Sequence, residues 1–271
     1  MSVITSLHRA VDGLRSLPGI YQMRRASFQH QFLHDPSAHL FDGVYATFDE
    51  ARRHAPESKP SSYDNSASAE LYREKLRVDA YDHAAMFWLG QSFADGLTRV
   101  TDVGGSIGIK FYAFRTCMRL PESLRWLVVD MPAVAALGRR IADEWNAPPC
   151  LEFSSDLRDA DGTDVLFCSG SLQYLPESLG EILDAMERRP KRIVVNTTPI
   201  HESRSFFTLN SLGTAICPYR VSARAPFVGA VLERGYRLRD EWRNIGKAMH
   251  LPFHHGFDVR DYSGFCFDAG T

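Results

Sequence analysis

Five short apolar runs, each followed by a stretch long enough for a helix, constrain this 271-residue chain more than any other feature. They are Arg99–Val103, Trp126–Asp130, Leu151–Phe153, Asp164–Cys168 and Arg192–Asn196. Among them WLVVD, DVLFC and RIVVN are nearly continuous in apolar character rather than alternating, as strands covered on both faces are. Apolar residues at helical spacing fill the intervals, over Lys110–Met118, Met131–Trp145 and Pro176–Arg188. Strands alternating with helices of this length imply right-handed crossovers and a parallel sheet with both faces covered. A helix over Ala225–Arg234 that ends at Gly235, then strands over Tyr236–Trp242 and Tyr262–Phe267, complete the set.

The expected fold class is therefore α/β: a Rossmann-like, doubly wound, seven-stranded, mostly parallel sheet with its last strand antiparallel. The segment after Asn196 reads as irregular. Residues 1–55 read as mostly helical, with a turn at Phe41-Asp42-Gly43, and Pro56–Ser68 (PESKPSSYDNSAS) reads as a flexible connection or lid. Ala69–Phe93 reads as one long helical stretch. The expected division is a helical N-terminal extension or lid over 1–68 and an α/β domain over 69–271. Val3, Leu7, Val11 and Leu14 lie at helical spacing with Arg9 and Arg15 between them. Such a helix docks on its own domain or on a second copy, so a homo-oligomer contact is expected through the N-terminal helices.

Charge narrows the partners. The net charge is −2, and Lys and Arg are outnumbered or balanced by acids in both parts of the chain. Neither part has the cationic excess that gathers a phosphate backbone, so no nucleic acid is expected. Five cysteines without a C-x-x-C pair argue against a disulfide framework or structural zinc, and fit a reducing cytoplasm. No run of about 18 apolar residues occurs, so no membrane span is expected, and the first 31 residues lack the apolar core of a secretory signal.

The most informative stretch is Arg99-Val-Thr-Asp-Val-Gly-Gly-Ser-Ile-Gly108. A strand ends in an acid, and a glycine-rich turn opens a helix at the carboxyl end of the sheet, where doubly wound folds bind nucleotides. A dinucleotide loop reads G-x-G-x-x-G; from Gly104 this chain places Ile109 at the final glycine. The frame that fits is D-x-G-x-S-x-G, from Asp102 through Gly104, Gly105 and Ser106 to Gly108. Asp130 ends the second strand 28 residues after Asp102, and a carboxylate there can accept two hydrogen bonds from a ribose diol.

The frame resembles the first motif of class I S-adenosylmethionine-dependent methyltransferases, D/E-x-G-x-G-x-G, with Ser106 in place of the middle glycine. Asp130-Met131-Pro-Ala-Val134 is similar to a D-x-P-x-V segment of small-molecule O-methyltransferases. Ser154-Ser155-Asp156-Leu157 stands where such enzymes put a polar residue near the adenine, and Ser169-Gly170-Ser171 where they flank the methionine end of the cofactor. A closer resemblance, to a bacterial methyltransferase group with unassigned acceptors, rests on Phe41-Asp-Gly-Val-Tyr45 with Phe48, Glu50 and Ala51, on Ser62-Tyr63-Asp64, and on Ser171-Leu-Gln-Tyr-Leu175. It continues through Phe207-Thr208-Leu-Asn210, Phe227 and Gly235-Tyr236, with Asn210 where that group favours Gln. The resemblance implies S-adenosyl-L-methionine as cofactor and methyl transfer to oxygen or nitrogen of a small-molecule, glycan or secondary-metabolite intermediate.

Such chemistry needs an aligned acceptor, and a base only where the acceptor must lose a proton. His201, just after the fifth strand, is the candidate base. Gln173, Tyr174, Thr208, Asn210 and Tyr219 are the candidate acceptor-binding residues, and Tyr45 and Tyr63 are placed over the sulfonium as an aromatic lid. His254-His255 with Asp258 makes a poor chelate, because adjacent side chains on a strand point oppositely, so no metal is expected. Two alternatives stay open: an NAD-dependent oxidoreductase on the same sheet, and a non-catalytic cofactor-binding relative.

Overall fold

The computed structural model describes residues 18–37, 39–61, 76–213 and 215–270. Residues 3–14, Tyr63 and most of the expected lid and of the stretch before Leu76 lie outside the described residues. In chain order the elements are α1 (Pro18–His34), β1 (His39–Tyr45), α2 (Phe48–Arg53), a 3-10 turn (Ala80–Asp82) and α3 (His83–Ala94), with further 3-10 turns at Leu157–Ala160 and Leu172–Tyr174. Then come β2 (Arg99–Val103), α4 (Ile109–Phe114), β3 (Arg125–Val129), α5 (Pro132–Glu144), β4 (Leu151–Ser154) and β5 (Val165–Ser169). After these follow α6 (Leu179–Asp184), β6 (Arg192–Thr198), β7 (Ile200–His201), β8 (Phe206–Leu212), β9 (Ala215–Ala223), α7 (Arg224–Leu232), β10 (Tyr236–Asn244) and β11 (Tyr262–Ala269).

The main sheet has seven strands in the order β10-β11-β6-β5-β2-β3-β4. Strands β2 to β6 are mutually parallel, and β11 runs antiparallel to both β6 and β10. This is the expected doubly wound sheet with a reversed last strand. Its apolar faces are covered on one side by α6 and α7 around Leu183, Ile193 and Phe267, and on the other by α3 and α4 around Leu89, Phe111 and Trp126. No helix among the described residues is long and apolar enough to cross a membrane.

Helix α6 starts three residues later than the spacing predicts. Pro176 and Glu177 lie outside it because Ser178 caps the helix: its hydroxyl accepts from the Glu181 N–H while Glu181 accepts from the Ser178 N–H.

Two expectations are corrected. The segment after Asn196 is not irregular: β8 and β9 form an antiparallel pair joined tightly at Gly213, whose φ is +59°. The Phe41-Asp42-Gly43 stretch is not a turn between helices. It is part of β1, which pairs antiparallel with β8 to build a second sheet of order β1-β8-β9-β7. Its glycine, at φ +80°, lies where the register shifts between Asp42 and Tyr45, so the sequence signal marks a bulge rather than a chain reversal. The buried Thr208, Asn210 and Ser211 explain why β8 does not read as a strand. Their side chains bond the carbonyls of Asp42, Leu40 and Phe32, which a local pattern cannot reveal.

Candidate functional site

The strands after β2 build outward to β3 and β4, whereas β5 lies on the opposite side of β2. The two loops leaving β2 and β5 therefore diverge and open a crevice at the carboxyl edge. The turn leaving β2 has three left-handed residues, Gly104 (φ +70°), Ser106 (φ +55°) and Gly108 (φ +87°). A serine in that region costs roughly 1–2 kcal/mol, and the resembling motif carries glycine at this position.

Asp130 offsets that strain. Its Oδ2 accepts the Ser106 N–H at 2.7 Å and its Oδ1 accepts the Met131 N–H at 2.7 Å, so one carboxylate ties the turn to the end of β3. The Gly104 N–H donates to the Val129 carbonyl at 2.7 Å, and Ser171, after β5, donates its hydroxyl to the Val103 carbonyl. Packing leaves no room for a side chain at Gly104 or Gly105. A Cβ on Gly104 would overlap that of Ser171, and one on Gly105 would come within 2.5 Å of the Asp102 carboxyl carbon.

Asp102 is 1 % exposed and accepts from Trp126 Nε1 at 3.3 Å. Burial raises its pKa from 3.8 to about 7; the Trp126 bond and the charge of Lys110 pull it down, and Asp130 pushes it up. A second buried carboxylate, Asp82, takes Lys110 Nζ on both oxygens at 2.7 and 2.8 Å and the Asp79 N–H at 3.0 Å. Asn196 Nδ2 fixes the same segment by donating to the Tyr81 carbonyl at 3.1 Å. The Ala80–Asp82 turn is thereby fastened to the sheet as a wall of the crevice.

The crevice encloses a cavity of about 560 Å³. Of the residues singled out from sequence, Asp102, Gly104, Gly105, Ser106, Asp130, Met131, Ser155, Leu157, Ser169, Gly170, Ser171 and Tyr174 line it together. Gly108 does not; its Cα faces Phe153 and Tyr112 in the packing beneath the turn. Asp156 faces outward, paired with Arg158, and the Arg158 hydrogen bonds hold its carboxyl down at about 2.

Asn210 and Tyr219 stand behind the wall. Tyr174 donates its hydroxyl to Asn210 Oδ1 at 2.9 Å and meets the Tyr219 ring edge-on at 5.0 Å between centroids. Thr208 is consumed in the β1–β8 contact, and Gln173 lines a separate small cavity of about 30 Å³ with Arg220. His201 also lies away from the large cavity. Its Nδ1 accepts from the Ser203 and Arg204 N–H groups at 3.1 Å, and its Nε2 sits 3.1 Å from the Gly256 carbonyl, so neither ring nitrogen faces the site.

Sequence reasoning missed Asp79, Tyr81, Asp82, Lys110, Glu177, Thr197 and Lys247, which also line the cavity. One signal was available: Lys110 is the lone charge on an otherwise apolar helix, Ile-Lys-Phe-Tyr-Ala-Phe. Thr197 is the second strained non-glycine residue on the wall, at φ +48°, where β6 slips register against β11. A Cβ on Gly170 would stand 3.0 Å from its hydroxyl. Bulges of this kind re-aim a side chain, here toward the loop after β5.

No protein-family model matches the sequence, and none of the curated proteins matches it. Among solved structures the chain is similar to the 1,6-didemethyltoxoflavin N1-methyltransferase of Burkholderia thailandensis, at 18% identity over 76% of this chain and 85% of that one, with a TM-score of 0.48. It is also similar to the magnesium protoporphyrin IX methyltransferase of Synechocystis PCC 6803, at 12% identity over 78% and 98%, TM-score 0.46. A mitomycin 7-O-methyltransferase matches at 15% identity over 94% of this chain and 70% of that chain, TM-score 0.45. At such distances these are likenesses of chain path, and the fold of this chain stands on its own strand pairing.

Proposed function

We propose that the chain binds S-adenosyl-L-methionine in this cavity and transfers its methyl group to an oxygen or nitrogen of a small-molecule acceptor, as the resemblance to class I methyltransferases implies. The charge of the walls carries the reading. Among the described residues, five carboxylates (Asp79, Asp82, Asp102, Asp130 and Glu177) and two lysines line the cavity, and no arginine does. The pyrophosphate of a dinucleotide would meet a carboxylate directly under the glycine turn, whereas a ligand with an ammonium and a sulfonium gains from one. The nicotinamide alternative is disfavoured on this ground.

When bound, the cofactor supplies an electrophilic methyl group, so the protein's task is alignment and exclusion of water. Asp102 is suited to an ammonium, and Asp130 to the ribose diol, because an ionised carboxylate is an acceptor-only group that a hydroxyl can donate to. Ser155 and Leu157 edge the adenine end. Ser169, Gly170 and Ser171 border the methionine end, and Tyr174 and Thr197 border the space left for an acceptor.

Calorimetry with S-adenosylhomocysteine tests the reading. Wild-type protein is expected to bind it, and Asp130→Ala, which removes both the sugar contact and the brace on Ser106, is expected to lose about tenfold or more, the worth of hydrogen bonds to a charged group. No binding by the wild type at high micromolar ligand would end the proposal, and so would unchanged affinity in a folded Asp130→Ala.

The raised pKa of Asp102 gives a signed pH dependence. In the ligand-free protein the neutral acid is favoured by folding, so this stabilisation is complete below about pH 4 and is lost as pH rises through about 7. A cationic ligand requires the ionised form, so its affinity runs the other way: it climbs as pH approaches 7, then levels off. Below 7, binding is expected to release a proton. Titrations in two buffers of different ionisation enthalpy would detect it, and a pH-independent affinity between 5 and 8 would refute the role given to Asp102.

A further inference from the structure

Sheet order separates the two ends of the cavity. Ser155 follows β4 at one edge of the sheet, and Lys247 follows β10 at the other. Strands β6 and β10 both run antiparallel to β11, so their carboxyl ends lie along the same edge. Thr197 and Lys247 thus line the cavity toward the end opposite Ser155, away from the adenine. The Lys247 backbone is pinned there. Its N–H donates to the Asn244 carbonyl at 3.0 Å, and its own carbonyl accepts the Tyr262 N–H at 2.8 Å.

The half-buried side chain lies on a wall of tyrosines. Its Nζ is 5.7 Å from the Tyr81 ring centre and 5.5 Å from that of Tyr262. The Tyr262 and Tyr219 hydroxyls meet at 2.7 Å, and the Tyr219 ring packs edge-on against Tyr174. Tyr81, Lys247 and Tyr174 line the cavity, with the buried Tyr219 and Tyr262 behind them. Ring faces attract an ammonium but leave it charged, so this wall still offers a cation to the cavity. The carboxylates of the cavity have other partners. Asp82 takes Lys110, Asp130 takes two backbone N–H groups, Asp79 pairs with Arg77 at 3.5 Å, and the Glu177 charge acts on Arg220.

Resting on the cofactor reading above, we propose that Lys247 receives an anionic group of the methyl acceptor. The acceptor is then a small molecule that joins an apolar or aromatic body, seated against Tyr81 and Tyr174, to a carboxylate or a phosphate.

The test uses four small probes: benzoate, phenyl phosphate, neutral benzamide and cationic benzylamine. Each is titrated by calorimetry into wild type and Lys247→Met saturated with S-adenosylhomocysteine. Wild type is expected to bind an anion at least about tenfold more tightly than benzamide, the worth of a hydrogen bond between charged groups. Which anion leads tells a carboxylate acceptor from a phosphate one. Lys247→Met is expected to bring both anions down to benzamide while S-adenosylhomocysteine still binds. Equal affinity for anions and benzamide, a lead for benzylamine, or no anion bound at millimolar concentration overturns the inference and leaves the cofactor reading intact. A preference for anions that survives in Lys247→Met overturns it too, and so does loss of S-adenosylhomocysteine in that variant, which would put the lysine at the cofactor. Should Lys247→Met fail to fold, Lys247→Gln, which keeps a polar tip, takes its place and is read in the same way. Wild-type protein that does not bind S-adenosylhomocysteine brings down both readings.

Discussion

Gly104→Ala is expected to abolish S-adenosylhomocysteine binding and to lower stability by about 2–5 kcal/mol. The left-handed backbone of Gly104, at φ +70°, disfavours any side chain, by roughly 1–2 kcal/mol. The new methyl group would also overlap Ser171, whose hydroxyl is held on the Val103 carbonyl and has little freedom to retreat; overpacking of this kind adds about 1–3 kcal/mol. The binding loss has a different origin. Relief of the overlap requires the loops after β2 and β5 to part, and these are the two walls of the crevice. Urea unfolding and calorimetry on the same sample separate the effects. A variant that loses under 1 kcal/mol and binds normally would show that the two loops are not in register for a ligand.

Trp126→Ala is expected to cost about 3–5 kcal/mol, the range for a fully buried Trp replaced by alanine. The indole is wholly buried in β3, with Phe111 and Phe167 edge-on at 5.8 and 5.9 Å. Its Nε1 donates to Asp102, one of the influences that keep that carboxyl from rising further. Trp126→Phe tests this donor apart from the volume. It is expected to fold with a smaller loss while the pH at which ligand affinity levels off moves to the alkaline side. Loss of under 1 kcal/mol in Trp126→Ala, or no alkaline shift in Trp126→Phe, would contradict the roles given to this side chain.

The parts legible in the sequence are those whose cause is local. Strands β3 and β5 announce themselves because burial on both faces leaves few polar residues in them, and β6 does so through its Ile193–Val195 run. Asp130 and Ser171 follow β3 and β5, and Asp102 stands near the carboxyl end of β2. The second sheet was hidden for the opposite reason. Asn210 and Ser211 are polar at buried positions, and the carbonyls that satisfy them belong to Leu40 and Phe32, 170 and 179 residues earlier. Asp82 was illegible in the same way: as a lone acid before an apolar helix it reads as a cap, and its meaning comes from Lys110, 28 residues on. His201 shows the converse error. Its place just after a strand tip suggested chemistry, but three backbone partners in its own loops and in the loop before β11 engage both ring nitrogens.

The pairing of β1 with β8 has a consequence for how the molecule is made. Thr208 meets the Asp42 carbonyl across 166 residues, so at roughly 5–20 residues per second β1 leaves the ribosome about 8–30 s before its neighbour exists. During that interval His39–Tyr45 is an unmatched ribbon, and in the finished protein its removal would strip β8 of one side and bare a row of amide groups to other chains. Shortened versions that start after Tyr45 are therefore expected to come out as inclusion bodies, even though every described residue that lines the cavity is still encoded in them.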